Sequence, residues 1–259
     1  LPAGSDVIVT GNQMGESRDG GFSTHLRMPA ETFVPLPPGL SARDAMALGT
    51  AGLTVVLAAD RLDAVVSPRH GATDAEWLVT GASGGVGTLA VAWLASTGHR
   101  VVACSRKAAA RETLLALGAA DVLRPEEAVD PGTKSLAKAR WGGVVETVGG
   151  PLLAGVLRSV RPGGAVAAIG MAGGAEFTTS VHPFILRGVT LVGIDGASMP
   201  TNDERRELWR RLAAFWPRVA GRLPVSLLGL SQVGGWAENM LRGTTTGRAV
   251  VLPGIDQVL

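Results

Sequence analysis

The chain has 259 residues, 46% hydrophobic and 18% charged, with a formal net charge of +2. That length suits one large domain or two modest ones, and the composition excludes a disordered chain. No basic block exceeds three residues, so no nucleic-acid footprint is expected. Cys104 is the only cysteine, which excludes an internal disulfide and a cysteine-built zinc cluster. Its solitude fits a reducing, cytoplasmic setting. No run of 18 or more apolar residues occurs, so no membrane span is expected. The start, "LPAGSDVIVTG", lacks the basic and apolar regions of a signal peptide and reads like the middle of a domain.

In chain order, "DVIVTG", "FSTHLRM" and "TFVPLP" predict short strands, punctuated by Gly20-Gly21 and Pro37-Pro38. Residues 42–62 predict a helix. From residue 76 strands and helices alternate: "EWLVT", a helix over 84–97, "RVVACS", a helix over 108–118 and "ADVL". Then come "GGVVETVG", a helix over 151–159, "GGAVAAIG" and "VTLVGID". This alternation predicts an α/β, doubly wound parallel sheet. Residues 203–216, "DERRELWRRLAAFW", predict an amphipathic helix, and strands return near 225–230 and in "GRAVVLP".

"WLVTGASGGVG", residues 77–87, places a glycine turn between a strand and a helix. Backbone N–H groups at a helix N-terminus attract phosphate, and glycine lets a diphosphate approach closely. The pattern is A-x-G-x-x-G, with Ala82 where the dinucleotide fingerprint carries its first glycine. The same letters fit T-G-x-x-x-G-x-G of short-chain dehydrogenases. That template needs an early position and a Tyr-x-x-x-Lys pair; nearly 80 residues precede the turn, and the chain has no Tyr.

At the end of the next strand an NAD site expects Asp or Glu for the ribose 2′-OH. Here Ser105, Arg106 and Lys107 stand instead, which suits the 2′-phosphate of NADPH; the alternative is an exposed basic loop. Charge-assisted hydrogen bonds contribute about 1.5–3 kcal/mol each. Two of them favour NADPH by roughly a hundredfold.

The order of "GGFSTHLRMPAETFVPLPPGLS", "ALGTAGLTVVLA", "VTGASGGVG", "VVETVGG", "GGAVAAIGMAGG", "HPFILRGVTLVGID" and "GRAVVL" resembles the medium-chain dehydrogenase/reductases nearly end to end. It is most similar to their zinc-free, quinone-oxidoreductase-like branch, and closest to acrylyl-CoA reductases. The resemblance implies a Rossmann doubly wound sheet inserted in a partial GroES-like, β-rich catalytic domain. It divides the chain into a GroES-like piece at 1–47, an NADP-binding Rossmann domain at 48–198 and a return to the catalytic domain at 199–259. By the same comparison the chain looks like an N-terminally incomplete member. The implied activity is NADPH-dependent reduction of the C=C bond of a short 2-enoyl thioester such as acrylyl-CoA. A quinone or a free 2-alkenal is the alternative acceptor, and an NADPH-binding protein without turnover the alternative of another class.

The resemblance maps the cofactor cradle to Ser83, Gly84, Gly85, Val86 and Gly87, and the phosphate end to Ser105, Arg106 and Lys107. It places Arg124 within one position of an adenine-side Arg. Met171 and Leu186 fall on cofactor-lining segments or are plain core. Arg248 is a cofactor-side Arg or a strand-edge surface residue. Thr50 stands where the zinc branch has a Cys ligand, and Thr54 is placed near the nicotinamide or is an ordinary helix residue. No metal is expected, because His25, His70, His99 and His182 are scattered. Glu146 is assigned no chemistry beyond a turn or cap. No catalytic residue is assigned; without Tyr, the proton falls to water or to a segment preceding Leu1. The expected partners are a small-molecule acceptor and a second copy, pairing through "VTLVGID", with neither nucleic acid nor membrane.

Overall fold

The computed structural model describes residues 1–198 and 201–254. Residues 199–200 and 255–259, part of the expected C-terminal return, lie outside the described residues, as does the His70 side chain. The chain divides into two compact units, Thr54–Ile194 and the pair of segments Leu1–Leu53 and Asp195–Leu259.

The unit built from both chain ends opens with two short antiparallel strands, β1 (Val7–Ile8) and β2 (Val34–Pro35). The strand expected over "FSTHLRM" does not form. There the side chains bond locally: Ser23 Oγ donates to the His25 carbonyl at 2.6 Å, and Thr24 Oγ1 lies 3.1 Å from His25 Nδ1. Such short-range bonds offer the backbone an alternative to a ladder. Helix α1 (Ala42–Val65) leads into the second unit. It is long and apolar enough to cross a bilayer, but 72% of its apolar window is buried. Gly49 breaks it with φ 51° and ψ −156°, a backbone that L side chains rarely adopt.

The second unit holds a six-stranded parallel sheet. Its elements in chain order are β3 (Glu76–Val79), α2 (Gly85–Ser96), β4 (Val101–Cys104), α3 (Arg111–Ala116), β5 (Asp121–Leu123), α4 (Pro125–Ala128), β6 (Trp141–Glu146), α5 (Gly150–Ser159), β7 (Val160–Ala168), α6 (His182–Arg187) and β8 (Thr190–Gly193). The sheet order is β5-β4-β3-β6-β7-β8, and every pairing is parallel. This is the Rossmann arrangement, with the strand order reversing between β3 and β6. Strands β3 and β4 are buried along nearly their whole length, as a sheet covered on both faces requires. Helix α2 has apolar residues all round, and Gly87 to Leu94 are all buried. Such a helix is core rather than surface. Trp77 fits because β6 has Gly143 opposite; a Cβ there would stand 2.6 Å from the indole ring.

The chain then returns to the first unit through α7 (Asn202–Phe215), the parallel strands β9 (Val225–Gly229) and β10 (Arg248–Leu252), and α8 (Val233–Leu241) between them. Thr201 caps α7 reciprocally with Glu204. Arg205, 2% exposed, ties α7 back to the N-terminal segment. Its guanidinium donates to the carbonyls of Thr10 at 2.7 Å and Ala197 at 2.5 Å.

Candidate functional site: a glycine turn with a basic corner

The turn after β3 is held from three sides. Ala82 N donates to the Cys104 carbonyl at 3.0 Å, which fixes the turn against β4. Gly84 N donates to the Gly81 carbonyl at 2.9 Å, and Thr88 Oγ1 to the Gly84 carbonyl at 3.0 Å. Gly84 is the N-cap of α2 in extended backbone. The N–H groups of Gly85, Val86 and Gly87 therefore open the helix without intrahelical acceptors. Gly87 allows this close seating, since a Cβ there would strike the Gly81 carbonyl oxygen and lie 2.6 Å from Ala82 Cα. Gly81 has φ 57°, and a Cβ on it would strike Thr147 Oγ1. Ala82, where the fingerprint has glycine, is fully buried and its methyl group is accommodated.

The structure brings Ser83 to Ser105. Ser105 Oγ donates to Ser83 Oγ at 3.0 Å and accepts from Lys107 N at 3.1 Å. Both hydroxyls are nearly buried, at 7% and 6% exposure. Arg106 is exposed, and no ion pair holds it among the described residues. Burial, and then the neighbouring Arg106 charge, lowers the Lys107 pKa. Two cations that repel one another beside a pair of hydroxyls form a corner that an anion would relieve. Arg124 follows Leu123, whose carbonyl accepts from Ser105 N at 2.9 Å, so it stands at the adjoining strand end. There it pairs with Glu126 at 2.6 Å, while its own N–H donates to Glu127 Oε2.

Met171 lies in the loop after β7 and Leu186 on α6. At 71% and 64% exposure neither is core. Thr54 is 6% exposed, on the turn of α1 after half-buried Thr50. Arg248 is half-buried at the start of β10. Its Nε donates to the Ala47 carbonyl at 2.9 Å, and its guanidinium lies against Gly49, 2.7 Å from where a Cβ would stand. Burial lowers its pKa. Cys104 is buried, and burial first, then Glu126, Glu146 and Glu127, push its thiol up to about 12. It is a small core residue rather than a nucleophile. Among the described residues, no group of three or more His, Cys, Asp or Glu could hold a metal. A cavity of about 450 Å³ lined by Glu76, Lys138, Arg140 and Trp141 opens at the other ends of β3 and β6, away from the turn.

Sequence reasoning missed the network under the turn. Thr80 Oγ1 donates to Glu146 Oε1 at 2.9 Å, and Thr147 Oγ1 donates to the Thr80 carbonyl at 2.8 Å. Glu146 does accept from its own turn, Val148 N at 3.0 Å and Gly149 N at 2.8 Å. The available signal was a carboxylate ending an otherwise apolar strand, with threonines at two adjoining strand ends.

Residues 85–214 match the zinc-binding dehydrogenase family. The chain is 40% identical over 249 residues to acrylyl-CoA reductase AcuI of Ruegeria pomeroyi, covering 96% of this chain and 74% of that protein. The chain belongs to the medium-chain dehydrogenase/reductases. Within this oxidoreductase family it falls in the quinone-oxidoreductase-like branch. It is also 40% identical over 250 residues to "Putative quinone oxidoreductase YhfP" of Bacillus subtilis, covering 96% of this chain and 74% of that one. The crystal structure of YhfP with NAD bound superposes with a TM-score of 0.87. That of Escherichia coli K-12 YhdH with bound NADPH gives 0.87 at 38% identity, covering 97% of this chain and 76% of the other. The chain thus spans about three quarters of these relatives.

Proposed function

We propose that the protein is an NADPH-dependent reductase of the C=C bond of a short 2-enoyl thioester such as acrylyl-CoA. The observation that carries the reading is the corner of two hydroxyls and two cations, Ser83, Ser105, Arg106 and Lys107, beside the glycine turn, in a chain 40% identical to an acrylyl-CoA reductase over 96% of its length. The turn fits a dinucleotide: Gly81 and Gly87 leave no room for a Cβ, and the first turn of α2 presents its N–H groups. Those N–H groups would hold the diphosphate. Ser105, with the charges of Arg106 and Lys107, would hold the 2′-phosphate, which NADH lacks. Arg124, Met171, Leu186 and Arg248 are proposed cofactor neighbours, and Thr50 and Thr54 neighbours of the nicotinamide end.

When bound, NADPH supplies hydride to the β-carbon of the acceptor. A proton must reach the α-carbon, and hydrogen-bond donors must meet the charge on the thioester oxygen. In this reading the unit formed by the chain ends is the GroES-like catalytic part. Two copies pair through the β8 edge, and α6, which leads into β8 along the chain, exposes Ile185 and Leu186. The proposed setting is the cytoplasm.

The second acceptor class, a quinone, rests on the similarity to YhfP. Oxidation of NADPH, followed by absorbance with acrylyl-CoA, a quinone, a free 2-alkenal and no acceptor, tests the proposal. Faster turnover of the thioester than of the other acceptors is expected. Preference for a quinone moves the assignment to the second class. Binding of NADPH with no turnover of any acceptor overturns the enzyme reading.

A further inference from the structure

The strand order reverses between β3 and β6, and parallel sheets of this kind open their ligand crevice at the C-terminal ends of those strands. Thr80 directly follows the first of these strands, and Glu146 ends the second. Glu146 is 0% exposed, and no cation pairs with it among the described residues. Every polar neighbour on its carboxylate is a donor. Oε1 accepts from Thr80 Oγ1 at 2.9 Å and Val148 N at 3.0 Å, and Oε2 accepts from Gly149 N at 2.8 Å. The Thr80 hydroxyl is committed to that donation because its oxygen accepts from Thr147 N at 2.9 Å. Burial raises the carboxyl pKa on balance, and the three donors limit the rise without cancelling it. Converging donors of this kind hold a carboxylate in its charged form. A negative charge without a countercharge therefore lies under the switch point.

The 2′-phosphate corner of Ser105 to Lys107 is on the β4 side of β3. A dinucleotide anchored there would cross the turn, with its nicotinamide half toward the β6 side. The oxidised nicotinamide bears a positive charge and the reduced ring none. We infer that Glu146 is an electrostatic positioning residue whose buried carboxylate favours the cationic, oxidised nicotinamide, and so sets the relative affinity for NADP⁺ and NADPH. This rests on the dinucleotide reading given above. The carboxylate also repels the diphosphate, but equally in both redox states, so that effect cancels in the affinity ratio.

The test is calorimetric titration of NADP⁺ and NADPH against wild type, Glu146→Gln and Glu146→Asp, with thermal unfolding of each ligand-free protein. Glu146→Gln should lower the preference for NADP⁺ relative to NADPH by about fivefold or more, roughly 1 kcal/mol. Glu146→Asp keeps the charge and should hold the ratio within about twofold. An unchanged ratio in folded Glu146→Gln overturns the inference, as does an equal loss of affinity for both forms, which would make the network a brace only. If Glu146→Gln does not fold, Glu146→Asn set against Glu146→Asp compares a neutral with a charged side chain of equal size that still accepts hydrogen bonds, and is read in the same way. Wild type that binds neither nucleotide would instead bring down the dinucleotide reading, and the inference with it.

Discussion

Replacing Gly87 by Ala should damage both the fold and the cofactor site. The new Cβ would strike the Gly81 carbonyl oxygen and lie 2.6 Å from Ala82 Cα and 2.8 Å from the Ala82 carbonyl carbon. These are backbone atoms, and the Ala82 and Gly84 N–H groups pin that backbone in place. No flexible side chain can move aside. Contact at about 3.5–4 Å requires the start of α2 to retreat by roughly 1 Å. Overpacking of this kind costs about 1–3 kcal/mol. The better helix propensity of Ala returns roughly 0.5–1 kcal/mol. The net loss is about 0–2.5 kcal/mol, centred near 1 kcal/mol, a fall in Tm of up to roughly 10 °C. The same retreat misaligns the N–H groups of the first turn. Losing one charge-assisted bond at about 1.5–3 kcal/mol weakens NADPH at least about tenfold. Thermal unfolding and calorimetric titration measure the two effects. Gly235→Ala in α8 is the control, because nothing lies within 4 Å of its added Cβ; it should gain about 0.5–1 kcal/mol. Gly87→Ala with wild-type Tm and wild-type NADPH affinity would refute the reasoning.

Arg106→Ala should weaken NADPH at least about tenfold and leave NADH nearly unchanged, which parallel titrations will read; an equal loss for both would remove Arg106 from the 2′-phosphate. Arg205→Leu should cost about 2–4 kcal/mol in denaturant unfolding, because it strands the buried carbonyl of Thr10 and the part-buried carbonyl of Ala197; a loss below about 1 kcal/mol would show that other donors replace it. His99 stacks on Trp77 at 3.8 Å and lies 3.3 Å from Asp63, and burial lowers its pKa despite that carboxylate. The unfolded chain then takes up the proton first. Stability from this group is complete above about pH 6.5 and is lost as pH falls toward the folded pKa. His99→Gln should flatten the fall between about pH 7 and pH 5, and an unaltered pH profile would dismiss His99 as its source. Ile185→Glu, on the exposed face of α6, should convert a dimer to monomer in sedimentation if pairing runs through the β8 edge; a variant that sediments as wild type does would move the interface elsewhere.

Much of this protein was already fixed by local sequence. The period of apolar residues from Glu76 to Gly193 specifies alternating strands and helices, because the central parallel strands, buried on both faces, must be apolar throughout. The glycine turn is legible for the same kind of reason: a strand, a bend that tolerates no Cβ and a helix start are all short-range events. Ser105, Arg106 and Lys107 are legible because they fall at the end of the next strand. Other features depend on partners distant in sequence. The "FSTHLRM" segment has strand-like composition yet forms no ladder, since a strand needs a partner that its own residues cannot specify. Arg248 meets the kink at Gly49 across 198 intervening positions, and its packing against that glycine is invisible in either segment alone. Glu146 reads as a turn residue, and it does serve its turn. Only the pairing of β6 with β3 brings Thr80 to its carboxylate and closes a buried, donor-lined pocket around it. The sequence by itself determined where the glycine turn, with two cations at the end of the next strand, would stand. The tertiary structure decided which uncompensated charge lies under it, because burial and the convergence of donors are properties of strands brought together.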